Sequence, residues 1–263
     1  MKYKLIAADM DGTLLNDRHE LTERTITAIT GAVEAGVLFV TATGRPFYGI
    51  GIVNDHITGD MPFIIFNGAS VVMGKSKEML FRKQLDASLA KEVYALGMER
   101  GIPLIMWTEQ LWCNSECKAT MGYRKYFDLD MRIIENIDDF EDEFIYKFIW
   151  FGMPDVIGKL QSEMQEHFRG RLNCHTSQPE YLEFVGPDAD KGSAMAELGR
   201  VYDIDRSEMI AIGDGHNDIS MLKYAGLGIA MENAPEAVKA VCGEVTLSNN
   251  NDGVAAVIEK YIL

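Results

Sequence analysis

Two aspartates, Asp9 and Asp11, open the stretch Asp9-Met10-Asp11-Gly12-Thr13-Leu14-Leu15 directly after the apolar run Leu5-Ile6-Ala7-Ala8. Carboxylates at the C-terminal end of a buried strand lie where open parallel sheets place their chemistry. Side chains at i and i+2 point the same way in an extended chain, so both acids can address one centre. Gly12 lets the backbone turn sharply after them. Asp-x-Asp recurs at Asp128/Asp130, Asp188/Asp190 and Asp203/Asp205, as expected by chance in a chain with 40 acidic residues. Only the first triple has an apolar strand before it and Gly-Thr after it.

Three further segments carry chemically useful groups. Thr41-Ala42-Thr43-Gly44-Arg45 ends the second apolar run. A hydroxyl and the following backbone amides there suit a phosphate oxygen, although alone the segment reads as an ordinary strand-to-helix turn. Lys191 begins a helical stretch after Asp188-Ala189-Asp190. A lysine is a compact point charge suited to a phosphoryl group, but on its own it reads as a surface lysine. Gly213-Asp214-Gly215-His216-Asn217-Asp218 follows the strand Met209-Ile210-Ala211-Ile212. It begins like a dinucleotide fingerprint, yet Asp218 stands where the third glycine belongs, which excludes that reading. Two aspartates four apart in a glycine-softened loop fit a hard divalent cation; a solvated acidic loop is the plainer alternative. Taken together, three strand ends would present Asp9/Asp11, Thr43 and Asp214/Asp218. Carboxylates converging without a cation repel and raise one another's pKa; Mg²⁺ relieves this and attracts a phosphate.

The elements that must position these groups alternate in type. Strands are expected at Tyr3–Ala8, Val37–Thr41 and Phe63–Phe66, with a helix from an N-cap at Thr22 to Ala35, ended by Gly36. The middle differs. Pro103–Thr108, Leu111–Asn114, Tyr146–Phe151 and Tyr181–Val185 read as strands, with helices at Ala87–Arg100 and Asp155–Phe168. Alternation then resumes: helices at Lys191–Tyr202, Ile219–Tyr224, Pro235–Val241 and Gly253–Tyr261, strands at Met209–Ile212, Leu227–Met231 and Glu244–Leu247. The fold class expected is α/β, a doubly wound parallel-sheet core over 1–83 and 188–263 with an inserted α+β domain over 84–187.

Composition narrows the function classes. The chain has 263 residues, 47% hydrophobic and 25% charged, in the range of globular proteins. A net charge of −15 argues against nucleic-acid partners, because phosphate backbones repel an acidic surface. Small anionic partners stay open. Cys113, Cys117, Cys174 and Cys242 lack a matched ligand spacing, so reduced thiols are favoured over a zinc site. The apolar stretch before Asp9 is too short for a signal peptide, and no run approaches membrane-spanning length. A cytoplasmic location, with no membrane partner, is the expectation; the oligomeric state is left open.

The order Asp-x-Asp-Gly-Thr, Thr-Gly-Arg, Lys, Gly-Asp-x-x-Asn-Asp resembles the haloacid dehalogenase superfamily of aspartate-dependent phosphohydrolases, in particular its Cof-type branch with a large α/β cap. Asn67-Gly68-Ala69 and Asp218-Ile219-Ser220-Met221-Leu222 also resemble that branch. The resemblance implies a Mg²⁺-dependent phosphatase of small phosphorylated metabolites, sugar phosphates first. It implies Asp9 as nucleophile, Asp11 as acid and then base, and Thr43, Lys191, Asn217 and the amides of Met10 and Gly44 as phosphate-binding groups. It implies Mg²⁺ held by Asp9, the backbone carbonyl of Asp11, Asp214 and Asp218, the last directly or through water. His216 has no implied role. The cap would select the leaving group, with Glu183, Tyr181 and Trp112 as candidates, although Tyr and Trp at strand positions are more often core. Two other readings compete. A phosphosugar mutase would need a bisphosphate activator, whereas a phosphatase releases phosphate without one. A phospho-accepting signalling module would keep its aspartyl-phosphate for minutes.

Overall fold

The computed structural model describes residues 2–263. The chain forms two compact units, one of residues up to Arg82 together with Asp190–Leu263, the other Lys83–Ala189.

The first unit begins with β1 (Leu5–Asp9), α1 (Glu23–Glu34), β2 (Leu38–Ala42), α2 (Gly51–Asn54), β3 (Pro62–Ile65), β4 (Ser70–Met73) and β5 (Met79–Arg82). The second unit contributes α3 (Ala87–Glu99), β6 (Leu104–Trp107), β7 (Leu111–Cys113), α4 (Lys118–Phe127), β8 (Met131–Ile133), β9 (Lys147–Phe151), α5 (Pro154–His167), β10 (Asn173–Gln178) and β11 (Tyr181–Val185). The first unit then resumes with α6 (Lys191–Tyr202), β12 (Met209–Gly213), α7 (Ile219–Tyr224), β13 (Leu227–Ala230), α8 (Glu236–Lys239), β14 (Glu244–Val245) and α9 (Gly253–Tyr261).

The first unit is built on a sheet of order β14-β13-β12-β1-β2-β3-β4-β5. Strands β14 through β3 run parallel, and β4 and β5 complete the edge antiparallel. Strands β1 and β12 are buried along their whole length, as a sheet covered on both faces requires. Leu5, Ala7, Val40, Ala42, Met209 and Ala211 pack under Ala194, Met195 and Leu198 of α6 and Met221 and Leu222 of α7. The Thr22 hydroxyl caps α1 by accepting from the Thr25 N–H at 3.2 Å, and Gly36 follows the helix at φ +88°. The hairpin of β4 and β5 departs from the sequence expectation. Its strands have four residues each, and β5 has no buried residue, so no apolar alternation announces it.

The second unit is a six-stranded sheet of order β10-β11-β9-β6-β7-β8, antiparallel except for the β7–β8 pair. Leu104, Met106, Phe148, Trp150, Leu182 and Phe184 pack in one core with Ala90 and Val93 of α3 and Ile157 and Met164 of α5. Three elements here were absent from the sequence expectation: α4, β8 and β10. Helix α4 buries only Thr120 and Tyr123, while β8 and β10 are edge strands with mostly exposed side chains. Elements that bury little carry little hydrophobic pattern. Among the described residues, no helix is long and apolar enough to cross a membrane.

Candidate active site

Adjacent parallel strands β12, β1 and β2 end side by side in the first unit. Asp9 is the last residue of β1 and pairs with Ala42, the last of β2, so Thr43 begins the next turn beside it. Asp214 follows Gly213, the last residue of β12. Lys191 opens α6 behind an Asp190 N-cap whose carboxylate accepts from the Ser193 N–H at 3.0 Å. Gly68, at φ +103°, makes that placement possible: a Cβ there would lie 2.2 Å from the Asp190 carbonyl oxygen. The backbone of the β3–β4 turn thus packs directly on the start of the helix that carries Lys191.

Lys191 has no solvent exposure, and Asp9 is 6% exposed. The Lys191 ammonium donates to Asp9 Oδ1, and to Asp218 Oδ1 at 2.6 Å. The second oxygen of Asp218 accepts the N–H groups of Asp214 at 3.0 Å and Gly215 at 2.8 Å. Asp214 accepts the Thr13 hydroxyl at 2.8 Å through Oδ1, and the Asn233 amide reaches Oδ2 at 3.4 Å. Gly12, at φ +81°, turns the chain so tightly against Asp214 that a Cβ would lie 2.4 Å from Oδ2.

These carboxylates are electrostatically crowded. Burial and then the charge of Asp218 push the Asp9 carboxyl well above the usual carboxylate range, against the pull of Lys191. Burial lifts Asp214 to about 6, opposed by the Thr13 hydrogen bond. Burial disfavours the Lys191 charge, but Asp218 and Asp9 outweigh it and raise its pKa. One oxygen from each of Asp9, Asp214 and Asp218 can be chosen so that all lie within 4.8 Å of one another. An all-oxygen donor set with more negative than positive charge fits a hard divalent cation.

The other expected residues fall in two places. The Thr43 side chain is buried, and its hydroxyl accepts the Arg45 N–H at 3.1 Å. The Asn217 amide donates to Asn67 Oδ1 at 3.0 Å, the same oxygen that a Cβ on Gly44 would approach to 2.9 Å. Thr43, Gly44, Asn67 and Asn217 therefore border the strand ends. The Met10 side chain is buried, and its carbonyl accepts the Leu15 N–H at 2.9 Å. Asp11 does not join Asp9 in one cluster of carboxylates as extended geometry would have it. The strand stops at Asp9, and Asp11, its side chain 45% exposed, faces the Arg45 guanidinium at 2.9 and 2.6 Å.

Four residues of this region had no role assigned from sequence: Thr13, Arg45, Asn67 and Asn233. Thr13, Arg45 and Asn67 lie inside motifs that were noticed, so position within a motif was the available signal. Asn233, whose amide also donates to the Gly12 carbonyl at 2.8 Å, had none.

A doubly wound α/β unit with a buried lysine among three aspartates at its strand ends defines an α/β protein with an acidic, cation-type site. The family model for haloacid dehalogenase-like hydrolases matches residues 6–258, and the chain belongs to that family. It is 32% identical to YxeH of Bacillus subtilis (strain 168), whose name proposes a phosphatase, with 99% of each chain covered. It is 30% identical to the 5-amino-6-(5-phospho-D-ribitylamino)uracil phosphatase YbjI of Escherichia coli (strain K12), covering 100% of this chain and 97% of that one. A haloacid dehalogenase-like hydrolase from Bacteroides thetaiotaomicron superposes with a TM-score of 0.86 at 29% identity, covering 98% of this chain and 99% of the other.

Proposed function

We propose that this chain, a phosphatase of its hydrolase family, releases phosphate from small phosphorylated metabolites with the help of Mg²⁺. Sugar phosphates are the substrate class and the cytoplasm is the working compartment. The observation that carries the reading is the buried Asp9 carboxylate, gripped at Oδ1 by Lys191 and flanked by Asp214 and Asp218 at the ends of parallel strands. Lys191 engages Asp9 through Oδ1, and in this reading the other oxygen, Oδ2, is the one that attacks.

In this reading Asp9 Oδ2 forms a bond to phosphorus while the bond to the leaving oxygen breaks. Asp11 gives that oxygen a proton. Asp11 then takes a proton from a water that attacks the aspartyl-phosphate, and Asp9 is regenerated. Lys191, the Thr43 hydroxyl, the Asn217 amide and the backbone amides of Met10 and Gly44 hold the phosphoryl oxygens, where fixed donors matter most for phosphoryl transfer. Asp9, Asp214 and the Asp11 carbonyl would hold Mg²⁺. Asp218 would act through water, because its oxygens already serve Lys191, Asp214 and Gly215. Bound Mg²⁺ would offset the negative charge of the carboxylates and the phosphoryl group.

The named substrate of YbjI carries its phosphate on a ribityl chain, in keeping with a polyol or sugar phosphate here. We assign the choice of leaving group to the inserted unit, since the residues named above engage only the phosphoryl group, the cation and the proton. A screen of phosphorylated metabolites with Mg²⁺, scored by phosphate release without a bisphosphate activator, tests the reading. Release from sugar phosphates is expected. Strict dependence on a bisphosphate would favour the mutase, and an aspartyl-phosphate lasting minutes the signalling module. Substitutions in the inserted unit should reorder the sugar phosphates by kcat/KM. A uniform loss across substrates would contradict that assignment.

Asp214 makes the cation site pH-dependent. A carboxyl that takes its proton at about 6 must lose it to bind a cation, so protonation competes below that pH. Mg²⁺ affinity measured by calorimetry should fall by roughly tenfold or more per pH unit below about 6, because the carboxyl of Asp9, a second ligand, is raised as well. A constant affinity from pH 5 to pH 7.5 would remove Asp214 from the ligand set.

A further inference from the structure

We propose that Arg45 is a positioning residue for the proton transfers of Asp11, an inference that rests on the phosphatase reading above. Arg45 is fixed at both backbone and side chain. Its N–H donates to the Thr43 hydroxyl at 3.1 Å and its carbonyl accepts the Phe66 N–H at 3.0 Å. The side chain is 15% exposed, and Nη1 donates to the Gly49 carbonyl at 3.3 Å. So anchored, the guanidinium presents its remaining fork to Asp11: Nε meets Oδ2 at 2.9 Å and Nη2 meets Oδ1 at 2.6 Å.

Asp11 lacks comparable support of its own. It lies beyond the end of β1, just before the positive-φ turn at Gly12, and its side chain is 45% exposed. The His19 ring is 3.8 Å from Oδ1 and is 67% exposed, a weak restraint. A half-exposed carboxylate at such a turn would otherwise sample many rotamers. The planar, bidentate fork selects one, which a lysine cannot do.

The fork also matches a particular state of the reaction. As Asp9 Oδ2 bonds to phosphorus and the leaving oxygen departs, the Asp11 carboxyl passes its proton to that oxygen and becomes a carboxylate. Both carboxylate oxygens are then acceptors, the arrangement that Arg45 grips here. Arg45 therefore keeps Asp11 oriented toward the leaving oxygen and then toward the attacking water. It acts through Asp11 and touches no reacting atom.

The test compares kcat/KM, which reports expulsion of the leaving group, for an alkyl phosphate and p-nitrophenyl phosphate. Aryl leaving groups need little protonation. The enzymes are wild type, Arg45→Gln, Arg45→Lys, Asp11→Asn and the Asp11→Asn/Arg45→Gln double variant. Arg45→Gln should lower kcat/KM for the alkyl phosphate about tenfold more than for the aryl one, a fraction of the 10²–10⁴ typical of a general acid. Arg45→Lys should fall between wild type and Arg45→Gln. In the Asp11→Asn background, losing Arg45 should change either substrate less than about twofold, because groups acting as one unit are not additive. Equal losses on both substrates, or losses that multiply with Asp11→Asn, would overturn the proposal and make Arg45 a phosphate-binding or structural residue. If Arg45→Gln fails to fold, the same cycle run with Arg45→Lys decides it. A wild-type enzyme that hydrolyses neither substrate nor any sugar phosphate would overturn the phosphatase reading itself.

Discussion

Asp9→Asn is expected to lose phosphate release by a factor on the order of 10⁴ or more, as removal of a covalent nucleophile does, while keeping its fold. An amide is a poor nucleophile and cannot reform a carboxylate between turnovers. The fold should survive because Asp9 is not a net stabilising charge. Its carboxyl is held well above the usual range by burial and by Asp218, so the folded state is strained by its ionisation. Lys191 keeps Asp218 as a partner in the variant. Thermal melting without Mg²⁺ should therefore stay level or rise, while the stabilisation that Mg²⁺ adds should shrink with one ligand lost. A folded Asp9→Asn enzyme with near-normal turnover would contradict the covalent mechanism.

Lys191→Met should lose both activity and stability. The ammonium is fully buried between Asp9 and Asp218 and carries the only positive charge among these three side chains. Removing one partner from such a group leaves buried carboxylates facing one another, at a cost of about 3–5 kcal/mol. The pH dependence of that loss follows from the sign of the Asp9 shift. Its folded pKa is raised above the ordinary carboxylate value of 3.8, and without Lys191 it rises further. The folded state then binds a proton that the unfolded state has released, so stability increases as pH falls through the folded pKa. Urea unfolding of the variant should accordingly recover part of the deficit as pH is lowered from alkaline conditions toward the ordinary carboxylate range, and so should added Mg²⁺. A deficit that stays constant across that range would mean that lost packing, and not uncompensated charge, is responsible.

Sequence reading reached furthest where burial leaves a continuous pattern. Strands β1, β2 and β12 are apolar runs with helices and turn residues between them, so their alternation is visible without coordinates. Asp9, Thr43, Asp214 and Lys191 follow from it, because each sits at a strand end or helix start that the alternation places. Edge elements such as β8 and β10 bury too little to leave that trace. The side-chain pairings were hidden for a different reason. Arg45 meets Asp11 across 34 residues, Asn217 meets Asn67 across 150, and Thr13 meets Asp214 across 201. Such contacts depend on rotamers and loop paths that residue types do not specify. Asp11 is the instructive case. Alternation along a strand puts it beside Asp9, but the strand ends at Asp9, and a guanidinium from the next strand end claims it.

The most direct test of the covalent phosphatase reading is a rapid acid quench during turnover of a sugar phosphate labelled in its phosphoryl group, followed by peptide mapping. A transient label is expected on the peptide containing Asp9, formed at least as fast as phosphate is released and absent from Asp9→Asn. Phosphate released at the full rate with no labelled peptide, or with the label on another residue, would contradict it.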